Sequence, residues 1–393
     1  MPASFSSRAP KCLLPNRLTQ IKEHLELQGV SLVDLTVANP TLMGFQYPPG
    51  LLSVLGSSEA LLYKPDPSGL RSAREAVATY LRRHEIPVEA EDLLLTTSTS
   101  EAYAFLLKLL CDPGHEVFVP RPSYPLLEYL LRFESVVSTT YELKYHGRWE
   151  INVPELESQL TAQTRALVLV NPNNPTGSFV SAGELEGVFN LCRKHGLALI
   201  VDEVFGFYSM VETKRGPSVL DFQPDVLTFV LGGLSKAVGL PGLKMGWIVV
   251  AGPPKERQVA LNQLELISDT YLSVATPVQL AAEHLLLEAS TVTDQISQRV
   301  RNNYEMLAKV VSSHPAANLI PVEGGWYAVV QFPSTVSEEA LVVDLLESDH
   351  ILVYPGYFFD FFREGFLVVS LISPLSVFEP AVKQVLARAF KDS

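Results

Sequence analysis

Cysteine is scarce in this 393-residue chain. Only Cys12, Cys111 and Cys192 occur, an odd number spread too widely to read as a disulfide framework, which fits a reducing compartment. Cys111 and Cys192 fall in helical patterns and read as small buried hydrophobes rather than catalysts. Basic runs are scarce as well. None exceeds two residues, and a formal net charge of −13 argues against nucleic acid as the main partner. No stretch approaches the roughly 20 consecutive apolar residues that a spanning helix needs, so no membrane partner is expected. The eight histidines show no HExxH or comparable ligand spacing, and no metal is expected. Residues 1–15 are polar and proline-containing without a continuous apolar core, unlike a secretory signal. These absences together predict a cytoplasmic protein.

What the chain has is apolar content, 47% of its residues, and enough length for two domains rather than one ordinary core. Strand-like runs recur at seven places: 93–97, 116–119, 136–140, 166–170, 197–201, 226–231 and 247–251. Helical patterns lie between most of them, as at Ser72–His84, Glu101–Leu110, Pro125–Phe133 and Ala182–Lys194. The alternation predicts an α/β fold with a largely parallel seven-stranded sheet flanked by helices. The link from 231 to 247 is short and glycine-rich, with little room for a crossover helix, so the last strand is expected to run antiparallel. Further on, 277–312 reads as one long helix or two closely spaced ones, opened by Pro277. Strands at Trp326–Phe332 and Phe366–Leu371 and helices at Glu338–Ser348 and Pro380–Phe390 follow.

Four of these runs end in chemically loaded residues. Val226–Leu231 leads into Gly232-Gly233-Leu234-Ser235-Lys236. A lysine held at the C-terminal edge of a sheet sits where open α/β folds place ligands. If partly desolvated, its amine can lose a proton and attack a carbonyl, giving a Schiff base. On this segment alone a solvated loop lysine is an equal reading. Leu197–Val201 runs into Asp202 and Glu203. An acid ending a buried strand needs a cationic partner, and a protonated pyridine nitrogen would be one. Glu203 reads better as a cap or a salt-bridge partner. Ala166–Val170 ends in Asn171-Pro172-Asn173-Asn174-Pro175-Thr176-Gly177, where turn chemistry explains the prolines and glycine but not three asparagines. Leu93–Leu95 leads through Thr96 and Thr97 to Ser98, Thr99 and Ser100 before a helical pattern. Those hydroxyls suit ordinary helix capping and also a phosphate at a helix N-terminus.

Taken in this order, the four segments resemble the aminotransferase class I/II family of fold-type I pyridoxal-phosphate enzymes. Pro122-Ser123-Tyr124-Pro125, Tyr63 with Gly69-Leu70-Arg71, Glu323-Gly324-Gly325-Trp326-Tyr327 and Tyr354-Pro355-Gly356 extend the match. The resemblance implies a large domain over 45–280 that binds pyridoxal 5'-phosphate. It also implies a smaller α+β domain over 1–44 plus 281–393, connected through 277–312. Lys236 would form the Schiff base and move the proton at the substrate Cα, while Asp202 pairs with the pyridine nitrogen. Asn174 would donate to the phenolic oxygen and Tyr124 would stack on the ring. Ser98, Thr99, Ser100, Ser235 and Tyr63 from a second subunit would hold the phosphate, implying a homodimer. The implied activity is transfer of an amino group from an amine or amino acid to a 2-oxo acid. A lyase, decarboxylase or cyclase on the same scaffold is the alternative, and a non-enzymatic cofactor-binding module is a further one, disfavoured by the acidic charge.

Three positions depart from the resembled pattern. Phe205 stands where a tyrosine is usual, leaving one donor fewer unless Tyr208 substitutes. Lys244 replaces an arginine that forks onto the phosphate; it supplies charge without bidentate geometry, or is a solvated loop lysine. Val368, in Gly365–Ser370, occupies the position of the arginine that clamps a substrate carboxylate. Arg363 and Asn39 are the remaining candidates for substrate binding. Surface exposure for Arg363 and a turn start for Asn39 are the competing readings.

Overall fold

The computed structural model describes residues 4–10, 14–211, 215–272, 274–333 and 337–390. Cys12 lies outside them. Cys192 is buried and Cys111 half-buried; burial pushes their thiols up to about 12 and about 11, so neither is a thiolate at neutral pH.

Strand β1 (Val33–Asp34) comes first. Eight follow: β2 (Leu93–Thr96), β3 (Glu116–Arg121), β4 (Val137–Tyr145), β5 (Trp149–Ile151), β6 (Thr164–Val170), β7 (Ala198–Asp202), β8 (Thr228–Gly233) and β9 (Gly246–Ala251). The last are β10 (Asn318–Leu319), β11 (Tyr327–Gln331), β12 (Ile351–Leu352), β13 (Tyr354–Pro355) and β14 (Phe366–Ser370).

Strands β2 to β9 form one sheet in the order β2-β9-β8-β7-β6-β3-β4-β5. It has eight strands where seven were expected. The extra one, β5, is three residues long and pairs antiparallel with the end of β4. The run from β8 through β4 is parallel, whereas β9 lies antiparallel to both β8 and β2. Strands β6, β7 and β8 are buried on both faces, which is why they read as continuous apolar runs. Their pleat still divides them. Leu167, Leu169, Leu199, Val201 and Val230 pack into one core, and Ala166, Val168, Ile200, Phe229 and Leu231 into another across the sheet.

A smaller sheet, β10-β11-β14-β13, is wholly antiparallel, and β1 pairs in parallel with β12. Helix Arg17–Leu27 packs on Glu338–Asp349, and Ser290–Ser312 packs on Leu375–Ala389. The stretch read as one or two helices is three: Thr276–Leu280, Ala282–Glu288 and Ser290–Ser312, parted at Ala281 and Ala289. The final helix starts at Leu375, so Pro380, read as its opening residue, lies inside it. Among the described residues no helix is long and apolar enough to cross a membrane.

Candidate active site

The C-terminal ends of β2, β6, β7 and β8 converge on a cleft of about 330 Å³. This is the edge at which open α/β sheets hold ligands. Strand β8 reaches it through Gly232 and Gly233, and Gly233 pairs with Gly246 at the start of β9. A Cβ on Gly246 would sit 3.1 Å from the carbonyl oxygen of Gly232 and from the backbone of Ser98. Glycine there lets the ends of β8 and β9 close against the start of helix Thr99–Leu110.

Lys236 follows in the one-turn helix Leu234–Ala237. Its Nζ donates to the Ala38 carbonyl at 2.9 Å and lies 4.6 Å from the centroid of the Trp326 ring. Among the described residues no carboxylate forms an ion pair with it. Burial brings the ammonium down to about 8. At neutral pH about a tenth of such amines are unprotonated, against well under a hundredth for an ordinary lysine.

Asp202 ends β7 on the same edge. Its carboxylate accepts from the Tyr103 hydroxyl at 3.3 Å and the Val204 N–H at 3.2 Å. No cation of the described residues pairs with it, and burial raises it to about 6. Glu203 serves another purpose. It accepts from the Val219 N–H at 2.7 Å, at the start of the short helix Val219–Phe222, and from the Asn171 amide at 3.4 Å. The cap reading of Glu203 is the one observed.

Ser98 is the N-cap of helix Thr99–Leu110, its Oγ accepting from the Glu101 N–H at 3.2 Å. Thr99 and Ser100 open the helix, where N–H groups lack intrahelical acceptors and the dipole is positive. Ser235 and Lys244 line the same cleft, the latter in the left-handed region with φ +52°. Asn174 Oδ1 is buried there without a hydrogen-bond partner. Tyr124, 42% exposed, completes the wall. The cleft thus joins a buried amine, an acid that no cation of the described residues pairs with, the Asn174 amide and an anion cradle. Those are the complements of a phosphorylated aromatic aldehyde with a protonated ring nitrogen.

Nine predicted positions line this cleft: Ser98, Thr99, Ser100, Tyr124, Asn174, Asp202, Ser235, Lys236 and Lys244. Three do not. Tyr63 is 67% exposed and lines a separate groove with Leu272 and Val274. Arg363 is exposed, its guanidinium 5.5 Å from the Phe362 ring and 5.4 Å from that of Phe366. Asn39 uses its side-chain oxygen to accept from the Thr41 N–H and hydroxyl, at 3.1 and 2.7 Å, which is the turn-start alternative. Tyr208 does not stand in for the tyrosine missing at Phe205, because its hydroxyl donates to the Lys236 carbonyl at 2.5 Å. Leu127, Met245, Ala38 and Tyr327 also line the cleft. Leu127 and Met245 carry no chemical signal in the sequence, and Tyr327 is marked only by its place beside Trp326.

A family model for aminotransferase class I and II matches residues 48–376. The chain is 30% identical over 345 residues to an alanine aminotransferase of Mycobacterium tuberculosis (strain ATCC 25618 / H37Rv), covering 84% of this chain and 79% of that one. It is 26% identical to the glutamate-pyruvate aminotransferase AlaA of Escherichia coli (strain K12), covering 94% of each. Two solved structures share the fold: an aminotransferase from Escherichia coli, with TM-score 0.87, 23% identity and 99% and 98% coverage, and an alanine aminotransferase from Pyrococcus furiosus, with TM-score 0.88, 22% identity and 99% and 100% coverage. The match over most of its length, on a fold whose sheet edge gathers Lys236, Asp202 and Asn174, makes this chain a member of the aminotransferase class I and II family.

Proposed function

We propose that the cleft binds pyridoxal 5'-phosphate and that Lys236 is the residue to which it attaches. The observation that carries this reading is that one cleft holds, at adjacent strand ends, an amine with no acid partner and an acid with no cation partner among the described residues. Bound there, the cofactor supplies an aldehyde and an electron-withdrawing ring. Ser98, Thr99, Ser100, Ser235 and Lys244 would hold its phosphate. Asp202 would keep the ring nitrogen charged, Asn174 would donate to the phenolic oxygen and Tyr124 would cover the ring. The Lys236 amine would take a proton from the substrate Cα and return one.

Residues 45–280 are taken as the cofactor-binding part, joined through 277–312 to a smaller part built from 1–44 and 281–393. The reading includes a homodimer in the cytoplasm, with Tyr63 delivered to the phosphate of the second subunit. Leu61, Leu62 and Leu272 accompany Tyr63 as exposed apolar side chains, an expected face for a subunit contact. Sedimentation velocity should show a dimer, and a fully active monomer at low concentration would overturn this part.

Substrate choice follows from Val368. It is fully buried in β14 between Val329 and Tyr354, and valine cannot bind a carboxylate. Among the described residues lining the cleft, Lys236 and Lys244 are the only cations. A carboxylate withdrawn from water without a cation loses several kcal/mol of solvation. The amino donor is then one whose carboxylate is absent, modified or displaced from the usual place, and a 2-oxo acid accepts the amine. The test is a half-reaction screen, in which loaded protein is mixed with alanine, aspartate, glutamate, aromatic amino acids and simple amines. Conversion of the cofactor to its amine form is followed by absorbance. Simple or modified amines should react most efficiently, ahead of the ordinary amino acids. Efficient turnover of an ordinary amino acid, unchanged in Arg363→Ala, would show that the carboxylate is held elsewhere.

A further inference from the structure

The helix that carries Lys236 is a single turn, Leu234–Ala237, and cannot brace itself. Its own closing bonds run from the Val238 and Leu240 N–H groups to one carbonyl, that of Leu234, at 3.3 and 3.0 Å. Three further carbonyls of the turn, those of Lys236, Ala237 and Gly239, are met by side-chain hydroxyls. Tyr208 donates to Lys236 O at 2.5 Å, Thr293 to Ala237 O at 2.7 Å and Tyr47 to Gly239 O at 2.7 Å. Tyr80 adds a longer contact of 3.4 Å to Ala237 O. These hydroxyls arrive from four separate places: an N-terminal loop, helix Arg71–Arg83, the segment after Asp202 and helix Ser290–Ser312. Tyr208 and Tyr80 are buried. Gly239 is in the left-handed region at φ +67°, and a Cβ there would lie 3.3 Å from the Tyr47 hydroxyl. The turn is therefore shaped to receive the clamp.

We infer that Tyr208, Thr293 and Tyr47 are positioning residues, which fix the backbone under Lys236 so that its amine is held against Ala38 and Trp326 at the cleft. Buried carbonyls need donors, and here those donors come from side chains of distant elements instead of from a helix. A lysine side chain has four rotatable carbons, so its tip can be placed only if its root does not shift. A displacement of about 1 Å at a reacting group costs up to about 100-fold in rate. None of the three needs to touch substrate to act.

The inference rests on Lys236 being the reacting amine, and the experiment separates the two claims. The full chain is prepared as wild type, Tyr208→Phe, Thr293→Val and Thr293→Ser. An amine-acylating reagent is applied to cofactor-free protein across pH, with labelling of Lys236 read by peptide mapping. The pH midpoint at Lys236 should rise by about one unit in Tyr208→Phe and Thr293→Val, as the amine slips toward water. In the loaded enzyme kcat should fall about tenfold with KM within about twofold, since ground-state binding is untouched. The kinetic isotope effect from deuterium at the substrate Cα should grow in step. Thr293→Ser, which keeps the hydroxyl, should recover most of the loss. If Tyr208→Phe does not fold, the Thr293 pair decides. Folded Thr293→Val with wild-type midpoint, kcat and isotope effect would overturn the clamp. A wild type that takes up cofactor at some other lysine would instead overturn the assignment of Lys236.

Discussion

Lys236→Ala should lose turnover by about 10⁴-fold, the upper end of what a positioned acid–base group contributes. The protein should still bind cofactor, because the anion cradle around Ser98 and the Asp202 carboxylate lie on different elements from the deleted amine. Borohydride should fix the cofactor to Lys236 in the wild type and leave it removable from the variant. Single-turnover absorbance with an accepted amine is the measurement. The variant keeps the fold on this account, because the Lys236 backbone bond to Tyr208 does not need the side chain. Turnover at the wild-type rate would remove Lys236 from the chemistry altogether.

Asp202→Asn is the second large effect. The amide keeps the size of the carboxylate; its one oxygen can still accept from the Val204 N–H, and its NH2, in place of the oxygen that faces Tyr103, can donate to that hydroxyl oxygen, so the end of β7 should keep its shape. What it removes is the negative charge. Without a cation the acid sits raised to about 6, and its ionised form is costly in that position. A protonated ring nitrogen opposite would offset that cost and stay charged itself. Replacing the charge should lower turnover by about 10²- to 10³-fold, the size of effect seen when one pre-placed electrostatic partner is removed. Asp202→Glu should do less harm in charge but misplace it. The decisive comparison is the rate of Cα–H exchange in deuterated buffer across the three proteins. Equal rates in wild type and Asp202→Asn would show that the acid is only a turn former.

The parts of this molecule that could be read from sequence are those in which chemistry and local structure share a segment. Lys236, Asp202 and Asn174 each follow closely on a buried apolar run, so strand and place at the cleft were marked by one short stretch. The reversed direction of β9 was legible because the link before it is too short for a crossover. Strand β5 was not, because three residues after a tight turn at Gly147 give no period to count, and it exists only through β4. The start of the last helix was misread for a different reason. Proline is favoured at a helix N-terminus, so Pro380 looked like an opening, whereas Leu375–Glu379 already form the first turn ahead of it. Tyr327, Leu127 and Met245 reach the cleft only through tertiary packing. Tyr63 shows the opposite case: its motif is clear, but its expected place is at the phosphate of a second subunit, and within one chain it is exposed and lines a separate groove.

The Ala38 carbonyl that receives the Lys236 amine is itself held from afar. Ser370 donates through its hydroxyl to Val37 O at 2.6 Å and through its N–H to Leu35 O at 2.7 Å. Three strips of chain, near residues 37, 236 and 370, must therefore meet before the amine acquires its resting partner. Contacts that span so much sequence form late, because closing long loops costs entropy before any contact rewards it. During synthesis, a chain that has emerged only as far as β9 has Lys236 but lacks the strand that secures its acceptor. Seating of the Lys236 amine is then a property of the finished chain, and the side chain stays unplaced until β14 has been made.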